Sequence, residues 1–183
     1  MMRKFCLIFI LLATVQMINA QEEIALPTEP SNGFAFSLGC KVTIKLVPTD
    51  SINFDYSVLS IESYQEPINL RKTEDLFDKE GPPNTLTLYF TYGYFGEKMT
   101  EKDMRIFLVI KNYTDNILQY SSDIQRMEDG EFEETSNAGI YSKAIATEIW
   151  PYMIHNIGLW GFKKRVLAQE VEEIKKGTKK IEE

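Results

Sequence analysis

The chain holds few residues equipped for covalent or metal chemistry. His155 is the only histidine, and the only two cysteines are Cys6 and Cys40. A structural zinc site takes about four such ligands, so these residues cannot build one. Cys40 and His155 could form a nucleophile and its base. Cys40, however, belongs to a series of seven apolar residues at alternate positions, where a thiol packs as a small hydrophobe and its pKa rises. His155 sits among Ile154 and Ile157, and no Gly-x-Ser-x-Gly elbow accompanies it, so a structural strand histidine is expected. The stretches Tyr92-Gly93-Tyr94-Phe95-Gly96 and Gly158-Leu159-Trp160-Gly161 match neither a P-loop nor a dinucleotide fingerprint.

Carboxylates are more numerous. Glu128-Asp129-Gly130-Glu131-Phe132-Glu133-Glu134 could gather oxygens around calcium, but it lacks the ligand spacing of an EF-hand loop. Asp129-Gly130 is expected to be a turn between short strands with solvated carboxylates around it. Glycoside hydrolysis would need two carboxylates at a defined separation, which the order of residues does not supply. No catalytic residue, cofactor or metal ligand is therefore assigned.

Aromatic residues give the best basis for recognition. Tyr89, Phe90, Tyr92, Tyr94 and Phe95 form one group, and Trp150, Tyr152 and Trp160 another. Exposed, they could stack on sugars or anchor a protein partner; buried, they fill a core. Alternation places Phe90, Tyr92 and Tyr94 on the core face and Tyr89 outward. Asn112-Tyr113-Thr114 fits the N-glycosylation pattern, which matters in a eukaryotic secretory pathway.

The elements that would position these residues are strands. Phe34, Phe36, Leu38, Cys40, Val42, Ile44 and Leu46 alternate with mostly polar residues, the pattern of a half-buried antiparallel strand, with Gly39 a bend or bulge. Ile52, Phe54, Tyr56 and Val58 repeat it before the apolar phase moves to Leu59 and Ile61, where a bulge would restore the facing. Leu86 to Tyr94 and Met104 to Ile110 alternate likewise, followed by Leu118, Tyr120 and Ile124. Turn formers at Asn112–Asn116 predict a hairpin over 104–126. Residues 66–84 predict a surface loop with a helical turn or two from Thr73 to Lys79, and Ser142–Phe162 predicts two short strands.

Both ends differ from this body. Residues 1–20 combine Arg3 and Lys4, an apolar run from Phe5 to Val15, and Asn19-Ala20 before Gln21, the layout of a secretory signal cut between Ala20 and Gln21. Eleven apolar residues are short for a membrane span, which takes about 20 as a helix. Neither cysteine is placed for lipid attachment. Residues 21–33 are expected to be a mobile, extended leader, and 163–183 a short C-terminal helix with Leu167, Val171 and Ile174 on one stripe.

Losing Arg3 and Lys4 takes the formal charge of −7 to −9. Residues 21–161 hold eleven basic and twenty-two acidic side chains, a body that phosphate backbones would repel, so nucleic acid is not an expected partner. The expected fold is mainly β over 34–162, an antiparallel β-sandwich of Ig-like strand pattern, with a β-barrel as alternative. The expected role is an extracytoplasmic, periplasmic or secreted, non-enzymatic module that binds a protein or glycan. Its alternatives are a secreted inhibitor of a basic enzyme such as a lysozyme, motivated by the acidic charge, and a carboxylate-dependent hydrolase. Partner identity and oligomeric state are left open. Expression in a secreting host should release a product whose first residue by mass spectrometry is Gln21, and a secreted chain still carrying Met1 would contradict the signal assignment.

Overall fold

The computed structural model describes residues 26–97, 99, 100 and 103–166. Its strands are β1 (Gly33–Ser37), β2 (Cys40–Pro48), β3 (Phe54–Ser63), β4 (Ile68–Asn69), β5 (Thr85–Tyr94), β6 (Arg105–Asn112), β7 (Leu118–Gln125), β8 (Phe132–Thr135), β9 (Ile145–Trp150) and β10 (Asn156–Lys164), with a 3-10 segment at Leu70–Leu76. They form two sheets. The smaller is ordered β1-β10-β7-β8 and the larger β3-β2-β5-β6-β9, with β4 pairing β5 in parallel beside that path; the remaining pairings are antiparallel. One apolar core takes residues from both sheets, including Val42, Ile44, Leu88 and Leu108 from the larger and Phe36, Ile124, Leu159 and Phe162 from the smaller. The barrel alternative does not hold, because closure requires a continuous ladder and each sheet here ends at its own edge strands.

The long alternating run 34–46 is not one strand. It divides at Leu38-Gly39, sending β1 to the smaller sheet and β2 to the larger. Gly39 adopts φ +86°, which L side chains rarely take, and a Cβ there would meet Gln65 Nε2 at 2.4 Å. The apolar phase continues through this corner because both strands face the same core from opposite sides.

The predicted hairpin over 104–126 is also corrected. β6 and β7 belong to different sheets, and the turn at 112–116 carries the chain across the core's end. Asn112 holds that crossing from full burial: its Nδ2 donates to Asn116 O at 2.9 Å and Tyr141 O at 3.0 Å, and its Oδ1 accepts from Thr114 N at 2.8 Å. A glycan on that nitrogen would displace these bonds.

Other expectations are matched more closely. Thr43 pairs Ser60 and Ile44 pairs Val58, so Leu59 is the extra residue of a bulge, although Leu59 and Ile61 both stay exposed at the edge. Two strands, β9 and β10, occupy 142–162. The helical turn lies earlier than predicted, at Leu70–Leu76, with the Asn69 side chain accepting from Arg71 N. Its Leu70 and Leu76, with Phe77, pack over Tyr89, Phe107 and Val109 on the outer face of the larger sheet, so β5 and β6 are buried on both faces. Part of the leader is pinned rather than mobile: Val58 N donates to Pro27 O, and Ser31 and Tyr56 exchange backbone bonds along the edge of β3. β10 runs through Lys163 and Lys164, two residues assigned to the C-terminal helix. Residues 167–183, the signal segment 1–20 and its cut at Ala20-Gln21 lie outside the described residues. Among the described residues no helix is long and apolar enough to cross a membrane.

Tyr56 ties the sheets together. From β3 its hydroxyl donates to Leu159 O of β10 at 2.6 Å and accepts from Phe34 N of β1 at 2.7 Å. Tyr56→Phe removes that oxygen and strands two polar groups of the other sheet, which should cost about 1–3 kcal/mol; urea unfolding measures it, and an unchanged midpoint would refute the tie.

Candidate functional site

Most residues singled out for chemistry are structural. Cys40 is buried on the inner face of β2, and burial pushes its thiol up to about 12, so the thiolate needed for attack is not formed at neutral pH. The His155 backbone joins strands, its N–H donating to Gln125 O and its carbonyl accepting from Leu38 N, each at 2.8 Å. Tyr89 points away from the main core as predicted, yet it is covered by the 3-10 segment, its hydroxyl donating to Leu76 O at 3.0 Å. Asp129-Gly130 lies in the β7–β8 turn, where Gly130 N donates to Met127 O. No group of three His, Cys, Asp or Glu side chains able to hold a metal occurs among the described residues.

Glu148 is a carboxyl drawn between the sheets. It projects from β9 toward β7, where the Tyr120 hydroxyl donates to one oxygen and Ser122 Oγ lies 3.4 Å from the other. Asn137 braces this group, its Nδ2 donating to Tyr120 O at 3.1 Å and Ser122 Oγ at 3.2 Å. Burial pushes the Glu148 carboxyl up to about 7, while the two hydroxyls pull it down. Its partners are hydroxyls, the setting of an inward charge guarding an edge strand.

The open feature is the outer face of the smaller sheet. Register builds it in cross-strand rows: Gly33, Trp160 and Ser121; then Ala35, Gly158, Asp123 and Glu134; then Ser37, Asn156, Gln125 and Phe132. Trp160 and Phe132 are 39% and 45% exposed. Between them lies a trough of 310 Å³ floored by Gly33, Ala35 and Gly158, which have almost no side chains. Gly33 is required there, since a Cβ would stand 2.6 Å from Trp160 Cβ. Trp160 is held in place, its Nε1–H donating to Asp123 Oδ2 at 3.0 Å.

A bulge between Trp160 and Lys163 sets the facing. It returns Phe162 to the core while Trp160 stays outside. On the far side of Trp160 a second cavity of 540 Å³ opens, lined by the amides of Asn32, Asn53, Gln119 and Asn137 together with Asp55, Ser121 and Lys163; Asn32 Oδ1 already accepts from Gly161 N, Asn53 Nδ2 donates to Asp50, and Asn137 is engaged by Tyr120 O and Ser122 Oγ. A larger hollow of 790 Å³ lies over the 3-10 segment, and two of its three lysines are engaged: Lys111 Nζ donates to Lys143 O, and Lys143 Nζ bonds Tyr113 O and pairs with Asp115.

The grouping of Trp150, Tyr152 and Trp160 is thus divided. Trp150 is buried, Tyr152 carries Arg126 over its ring at 4.4 Å, and Trp160 alone forms the ridge between two cavities. Phe132, Asp123 and Gly158 were not anticipated as its neighbours. Gly158, the residue after Ile157 in an alternating strand, was the signal, because glycine inside a strand marks close approach. No family model, curated protein or solved structure matches the chain.

Glu148 generates a pH prediction. Its folded value of about 7 stands above the ordinary 4.5, so between these values the folded protein holds a proton that the unfolded chain releases. The resulting stabilisation is complete below about pH 4.5 and lost as pH rises toward about 7. Wild type should lose up to about 3 kcal/mol from this group across that window, and Glu148→Gln should show a flatter profile by chemical denaturation. Coincident profiles would contradict the burial argument.

Proposed function

We propose that this chain is an exported, non-enzymatic module that binds a glycan on the outer face of its smaller sheet. The observation that carries this is Trp160, an exposed indole immobilised by Asp123 at the border of a bare trough and an amide-lined cavity. A flat aromatic face suits the apolar face of a sugar ring, and amides suit its hydroxyls. Because the indole is already held, little side-chain entropy is lost on binding. Export rests on the signal layout of residues 1–20. The two antiparallel sheets around one core support a β-sandwich, and the Ig-like likeness rests on strand pattern and lends nothing to function.

Immobilised soluble oligosaccharides should retain the protein. Trp160→Ala should lower affinity at least tenfold without changing the thermal midpoint. Gly158→Ala gives a second check: its Cβ meets only ordinary contacts at 3.8 Å, so the added methyl is accommodated while it raises the floor of the trough. Full retention of both variants, or no retention of wild type on any glycan, would overturn the proposal.

A further inference from the structure

The trough carries a charge pattern that an uncharged sugar leaves unanswered. Asp123 and Glu134 are register partners on β7 and β8, so two carboxylates face each other on the same side of the sheet. Like charges placed directly opposite destabilise a sheet. Among the described residues the basic side chains nearest to them stand off: Lys163 pairs with Gln119, two rows from Asp123, and lines the cavity beyond the indole, and Arg126 is turned onto Tyr152. The β7–β8 turn adds Glu128, Asp129 and Glu131, all exposed, while Glu133, opposite Ile124, stands on the other side of the sheet. The potential over the trough is therefore negative, and it is enclosed by two aromatic faces that themselves attract cations.

Resting on the glycan-binding role proposed for this face, we infer that the ligand is an amine-bearing glycan, a run of glucosamine-type units with free ammonium groups. One ring lies on Trp160 over the Gly33, Ala35 and Gly158 floor, and its ammonium meets Asp123 and Glu134. Asp123 serves twice: Oδ2 holds the indole N–H, leaving Oδ1 for the ligand. A lysine side chain would satisfy the carboxylates, but it is too slim to use the width of a floor spanning β1 and β10, or the amide cavity beyond the indole. An anionic glycan would be repelled.

Calorimetry at pH 5.5 compares a β-1,4-linked glucosamine hexamer, its fully N-acetylated counterpart and a lysine hexamer on the full chain. The glucosamine hexamer should bind at least tenfold more tightly than the other two and weaken as salt rises from 20 to 300 mM. Glu134→Gln changes an exposed side chain and leaves the fold intact; it should remove most of that preference, as should Asp123→Asn, which retains an acceptor for Trp160. Equal or tighter binding of the N-acetylated hexamer would overturn the amine inference while preserving glycan binding. Lysine hexamer bound as tightly as the glucosamine hexamer would show that charge alone is read, and overturn it too. Binding of neither sugar would overturn this inference together with the role it rests on.

Discussion

The structure depends on a single buried hydroxyl. Tyr56 reaches from the larger sheet into the smaller one and bonds both Phe34 N and Leu159 O. Apart from this tie and the contacts of Glu148 with Tyr120 and Ser122, the interface between the sheets is mostly apolar, and apolar contact sets distance but not register. A hydrogen bond placed inside it fixes one sheet against the other, and its loss leaves two polar groups in a dry core. The ring adds to the tie through edge contacts with Phe34 at 5.1 Å and Phe162 at 5.4 Å, and Phe162 stacks on Tyr120 at 5.1 Å. Leu159 precedes Trp160, and Phe34 follows Gly33. The backbone on which the proposed binding face stands is thus clamped from beneath.

The two outer faces are treated differently. The larger sheet folds its own 3-10 segment back over β5 and β6, burying Phe107 and Val109 completely. Among the described residues no segment folds over the smaller sheet in this way. Its outer face carries glycine, alanine, serine and amides in place of a second apolar layer, with Trp160 and Phe132 standing clear of them. A sheet whose outer residues are small or polar gains little apolar burial from being covered, which suits the glycan-binding role proposed for it.

Much of the strand content was legible as alternation, because a half-buried strand must repeat every two residues. Sheet membership was not. The run from Phe34 to Leu46 keeps its phase across Gly39, since turning a corner around one core changes sheet without changing face. The residues 112–116 are turn formers, but turn chemistry is shared by a hairpin and by a crossing between sheets. Ile106-Phe107-Leu108-Val109-Ile110 is an unbroken apolar run, the mark of a strand buried on both faces, and its odd positions Phe107 and Val109 build the second core. Trp160 was named as a possible anchor, whereas Gly33, Asp123, Phe132 and Gly158 join it only through register among four strands.

The central claim is that Trp160, and not the buried Trp150, meets the ligand. The chain has two tryptophans, so an amide nitrogen-proton correlation spectrum shows two indole resonances, assigned with Trp160→Phe. Titration with a soluble glucosamine oligomer should move the Trp160 indole signal and the Gly158 and Asp123 amides progressively while the Trp150 indole stays in place. A titration that leaves the Trp160 signal unmoved, or moves Trp150 instead, would contradict the account.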